Sequence, residues 1–143
     1  MRRTTGNPLL LGAALGILLW PQLLSAQACK DEESMVAYYK KDLAGIVETV
    51  KKESLADFSK AYHQKSTLTK LTLYGSQVGG LLTCLDKAAQ DTTATKEEVD
   101  AYKAKRETYA KLKDRIQKNR DALKATEASK DAKALIEKID LGE

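Results

Sequence analysis

No proline follows Pro21, and from Asp31 onward apolar side chains recur every three or four residues. A chain that keeps every backbone N–H donor and repeats its apolar residues at the helical period is confined to helices. Both prolines (Pro8, Pro21), the sole tryptophan (Trp20) and Gly6, Gly12 and Gly16 all precede Cys29. What remains is rich in Lys, Ala, Leu, Glu and Asp with a single Phe, the composition of long amphipathic helices. At 143 residues and 43% hydrophobic, the chain holds one small domain and excludes a multidomain enzyme.

Residues 1–28 read as a cleaved secretory signal peptide. Arg2 and Arg3 form a basic start, Leu9 to Trp20 an uncharged apolar stretch, and Ala26-Gln27-Ala28 an A-x-A cleavage site. An uncleaved anchor is the alternative, but a spanning helix needs about 20 apolar residues and Pro21 ends this run early. Residues 29–143 then form a single helical-bundle domain.

Removing the leader changes the electrostatic reading. The whole chain carries 24 Lys and Arg against 20 Asp and Glu; losing Arg2 and Arg3 leaves a net charge of +2. Bases and acids are interleaved, with Glu48 and Lys52, Glu107 and Lys111, and Asp114 and Lys118 four apart in the order that favours solvated helix faces. Nucleic acid, which selects a concentrated basic patch, is not an expected partner. A membrane is expected only if the signal stays uncleaved or Cys29 is lipidated.

Spacing divides the mature chain into helices. Met35, Tyr39, Leu43, Ile46, Val47 and Val50 trace one stripe over Asp31 to Lys52, with Asp31, Glu32 and Glu33 at its dipole-positive start. Ser54 with Asp57 resembles a cap, opening a short crossing helix that carries Leu55, Phe58 and Tyr62. Leu68, Leu71, Val78, Leu82 and Leu85 mark a third helix from Ser66 to Gln90, although the threonine-rich stretch from Thr67 to Tyr74 has extended character. Gly75 and Gly79, four apart, suggest a close helix crossing or a local weakness. Thr95 with Glu98 forms a capping box, after which Tyr102, Tyr109, Ile116 and Leu123 recur every seven residues, as in a coiled coil. The companion positions Lys105, Leu112, Asn119 and Thr126 are mostly polar, which suits the core of a bundle better than a dimer seam. Ser129 is placed as the cap of a last helix carrying Ala132, Leu135, Ile136 and Ile139, and spacing alone leaves open whether it continues the fourth.

Two cysteines, Cys29 and Cys84, remain after cleavage, and in an exported chain an even count predicts a disulfide. They lie 23 residues before Lys52 and 18 after Ser66, about 34 and 27 Å of helix. They meet only if the first and third helices run antiparallel with residues 54–64 crossing over the far end. The alternative is lipidation of Cys29, the first residue after the cleavage site, although Gln27 departs from the Leu-small-small-Cys pattern of bacterial lipoproteins.

Chemistry has few carriers. His63 is the sole histidine and has no serine or cysteine at a pairing distance in sequence. The spacings of zinc and covalent haem sites are absent, and Gly75, Gly79 and Gly80 lack the flanks of a phosphate loop. Glu97 with Asp100 and Glu107 with Asp114 sit among lysines, so no catalytic residue, cofactor or metal site is predicted. Tyr39, Tyr62, Tyr102 and Tyr109 fall on apolar stripes, whereas Tyr38 and Tyr74 lie at stripe edges and are the candidates for a partner surface.

The sequence therefore predicts an all-α fold: a small antiparallel bundle of three long helices plus a short crossing helix and a C-terminal helix. Its expected role is that of an exported, non-catalytic binding or structural protein of the bacterial envelope or periplasm. The alternative is an envelope lipoprotein tethered through Cys29.

Overall fold

The computed structural model describes residues 28–58 and 62–142. The expected signal peptide, residues 1–28, lies outside them except for Ala28. The described residues form α1 (Lys30–Lys52), α2 (Leu55–Phe58), α3 (Tyr62–Ala89), α4 (Lys96–Ala125) and α5 (Ser129–Glu137), with no strand among them.

Three cross-helix pairs fix the first long pairing. As the α1 residue climbs from Cys29 to Asp42 to Glu53, its partner falls from Cys84 to Lys70 to His63. The helices are antiparallel, as the cysteine geometry demands. The crossing segment is shorter than expected: α2 spans four residues, with the Asp57 N–H donating to Ser54 Oγ at 3.3 Å and that hydroxyl donating to Asp57 Oδ2 at 2.6 Å. Phe58 is buried there, but Tyr62, expected in the core, opens α3 and is 70% exposed.

Burial also rephases α1. Because the buried Cys29 faces inward, the positions seven apart, Val36, Leu43 and Val50, follow it into the core together with Val47. Met35 is turned to solvent as a result. On α3 the buried series is Thr67, Leu71, Tyr74, Val78, Leu81 and Leu85, in alternating steps of four and three, while Leu68 and Leu82 pack on its flanks. Each fully buried Leu contributes about 1.5–3 kcal/mol. The threonine-rich stretch is helical throughout, with Thr67, Thr69 and Thr72 each donating a hydroxyl to the carbonyl four residues back. That bond also lets the wholly buried Thr67 dispense with water.

α4 runs back along α3. Thr95 and Glu98 complete the expected capping box. A Cβ built on Gly75 would lie 3.3 Å from Ile116 Cγ2, so this glycine makes room for the Ile116 side chain of α4. Gln64 Nε2 donates to the Leu123 and Thr126 carbonyls at 2.9 and 2.6 Å, the first of which also accepts the Thr126 N–H, and so ties the end of α4 to the start of α3. Tyr102, Ile116 and Leu123 of the heptad are buried, together with Leu112, while Tyr109 is half-buried. Glu48 pairs with Lys51 rather than Lys52, whereas Glu107–Lys111 and Asp114–Lys118 form as expected.

Residues 126–128 separate α4 from α5, so two helices form here. Ser129 is the first residue of α5, not its cap; Ala128 holds the cap position and offers no side-chain acceptor. Inward-facing Ala132 and Ile136 hold α5 against α1, α2, α3 and α4. Lys133 Nζ donates to the Val50 carbonyl at the end of α1 and also binds Glu137.

Candidate functional site

α3 is the central helix, with α1 and α4 packed mainly on it rather than on each other. α5 fills the lower part of the channel this leaves between α1 and α4. Its C-terminal tail is tied down at two points: Arg115 Nη1 lies 2.5 Å from Asp140 Oδ2, and the Tyr74 hydroxyl donates to the Leu141 carbonyl at 3.2 Å. Gly142, at φ 75, donates its N–H to Asp140 Oδ1 at 2.9 Å. That N–H and then the Arg115 guanidinium hold the Asp140 carboxyl below its usual range. Above the tail the channel stays open as a groove of about 790 Å³, walled by Tyr109 and Leu112 and closed at the top by the Glu33–Lys105 pair at 2.6 Å.

Tyr74 therefore cannot serve as the partner-surface residue expected of it. It is wholly buried on the inner seam of α3, and burial pushes its hydroxyl up to about 12. Tyr38 does reach the surface. It is 61% exposed, with its ring edge-on to Tyr39 at a centroid distance of 5.3 Å. Met35, one turn earlier, is also exposed. Below them the Asp42–Lys70 pair, 2.5 Å apart, borders a shallow hollow between α1 and α3 reaching Ile46 and Tyr62. The result is a face with exposed aromatic and thioether groups whose central charges neutralise each other.

The cysteines form a disulfide with Cα atoms 5.8 Å apart. Cys29 holds the N-cap position of α1 in the left-handed region at φ 68, and its carbonyl accepts the Glu33 N–H at 2.9 Å. A carboxylate oxygen of Glu32 lies within 4.8 Å of both sulfurs. Sequence reasoning missed this neighbour; the available signal was its position three residues after Cys29, one turn along the same helix. A sulfur held in this disulfide has no valence for a thioether, so the bonded form and a lipidated Cys29 are mutually exclusive.

Several titratable side chains are held by neighbours. His63 Nε2 lies 2.5 Å from Glu53 Oε2, and its ring stacks on Phe58 at 5.7 Å. Glu107 and Asp114 bind the lysines one turn on. The carboxylates with displaced titration, Glu48, Asp91, Glu107 and Asp140, all move downward, held by Lys51, Thr93, Lys111 and the Gly142 N–H respectively. A general acid needs the opposite displacement. No protein-family model matches the chain, and neither a curated protein nor a solved structure matches it.

Proposed function

We propose that the chain is an exported, non-catalytic helical bundle that binds a protein of the bacterial envelope or periplasm through the α1–α3 face bearing Tyr38 and Met35. The observation that carries this reading is the Cys29–Cys84 disulfide, whose first cysteine directly follows the Ala26-Gln27-Ala28 cleavage signal. Disulfides persist in oxidising compartments, and a bundle of this size gains most from one that closes a long loop. Exposed aromatic side chains around a neutralised ion pair suit a protein surface better than a polyanion.

The test is the intact mass of the protein recovered from the envelope or periplasmic fraction of cells producing the full sequence, with and without reductant. The expected species is residues 29–143, gaining two hydrogens on reduction. A species heavier by diacylglycerol and an acyl group would replace this reading with that of a lipoprotein tethered through Cys29. A full-length chain confined to the cytosol with both thiols free would overturn it.

A further inference from the structure

We propose that in the dithiol state Cys29, Cys84 and Glu32 form a binding site for one divalent cation of the zinc type. The site is a property of the folded chain, so it stands or falls independently of export. The two sulfurs and a Glu32 carboxylate oxygen lie mutually within 4.8 Å. Metal–sulfur and metal–oxygen bonds of about 2.3 and 2.0–2.2 Å join donors at most about 4.5 Å apart, a separation that rotation of the Glu32 side chain supplies. With the Cα atoms 5.8 Å apart, side-chain rotation can separate the freed sulfurs without moving either helix.

The chemistry balances without residue. A dithiol reductant gives two hydrogens to the Cys29–Cys84 bond, becoming a disulfide itself and leaving two thiols. The cation then displaces both thiol protons to solvent. Two thiolates, one carboxylate and a dication sum to one negative charge, placed at the N-terminus of α1 where the helix dipole is positive. Two sulfur donors disfavour magnesium and calcium, and the carboxylate disfavours cuprous copper, which leaves the borderline-soft dications. Three protein donors leave a fourth position for water.

The probe is cadmium, whose thiolate complexes show a sulfur-to-metal charge-transfer band. The full chain is reduced with a phosphine, which takes up the oxygen of one water as its oxide while the cysteines gain the hydrogens, and is then titrated without air. The expected result is a band that saturates at one cadmium per chain, is absent from the oxidised chain and from Cys84→Ser, and forms with at least tenfold weaker affinity in Glu32→Gln. Glu32→Gln keeps both cysteines, and its oxidised form should match the parent in circular dichroism. A band saturating at one cadmium per two chains, an affinity unchanged by Glu32→Gln, or no band would each overturn the proposal. So would a reduced chain that has lost helix and does not regain it with cadmium.

Discussion

Glu53 and His63 meet across the turn between α1 and α3, with Glu53 Oε2 2.5 Å from His63 Nε2 and both side chains at most a quarter exposed. The contact joins the end of one long helix to the start of the next, and the His63 ring also covers Phe58. Removing either partner leaves the other polar group poorly solvated at about 1–3 kcal/mol. His63→Ala should lower stability by that amount in urea unfolding. Glu53→Gln, which keeps an accepting oxygen, should lose less than Glu53→Ala. An unchanged midpoint in His63→Ala would show that the pair is ornamental.

Cys84→Ser opens a loop with a sequence separation of 55, for which the chain-entropy account gives a loss of about 4 kcal/mol. Thermal unfolding should show a large drop in Tm. The parent chain under a reductant, with no metal present, should coincide with the variant. Equal stability of oxidised parent and variant would mean that the unfolded chain is already compact around this loop.

The tail carries a pH dependence whose sign is fixed. The Gly142 N–H and Arg115 hold Asp140 below its ordinary value of 3.8 in the folded state. Its contribution to tail docking is therefore complete above that value and is lost as pH falls through the depressed one. Hydrogen exchange of the tail amides should stay protected at mildly acid pH and accelerate at still lower pH. Asp140→Asn should exchange fast throughout, and tail protection in that variant equal to the parent's would refute the clamp.

Gly75 and Gly80 lie in one helix but should respond oppositely to alanine. A Cβ on Gly80 meets nothing within 4 Å, so Gly80→Ala should gain about 0.5–1 kcal/mol from reduced chain entropy. At Gly75 the same atom would press on Ile116 Cγ2 at 3.3 Å. Gly75→Ala should gain less or lose stability, and equal gains at both positions in denaturant unfolding would mean that the α3–α4 crossing is not tight.

Tyr38→Lys should leave stability within about 0.5 kcal/mol, as expected of an exposed site. It should sharply reduce recovery of any envelope protein that crosslinks to the parent chain. A crosslinking pattern unaffected by Tyr38→Lys would move the partner surface elsewhere, with the groove beside Tyr109 the next place to look.

Much of the fold was legible because helical periodicity and a single covalent constraint agree. Antiparallel α1 and α3, the capping box at Thr95 and the buried Ile116 and Leu123 follow from spacing and the two cysteines. What stayed hidden depended on rotation about a helix axis. The sequence cannot show that Cys29 turns inward and carries Val36 rather than Met35 with it. Nor does it show that Tyr74, polar at one end, can be buried because a carbonyl 67 residues later receives its hydroxyl. The disulfide was readable, and the placing of Glu32 one turn from Cys29 followed from spacing, but its approach to the Cys84 sulfur depended on how the two helices are set side by side.

The left-handed torsion at Cys29 would tie the proposed cleavage after Ala28 to folding energetics. One of the four atoms defining that φ is the carbonyl carbon of Ala28, so the torsion exists only while Ala28 is attached. A chain cut between the two would keep the disulfide but end in an ammonium, and the steric cost of a left-handed residue, about 1–2 kcal/mol, would vanish. In its place a positive charge would stand at the positive end of α1, opposed by its dipole and attracted by Asp31, Glu32 and Glu33. Uncut and cut chains would then share one core yet differ in what holds their first turn, torsional in one and ionic in the other. Added salt would act on that extra charge only in the cut chain.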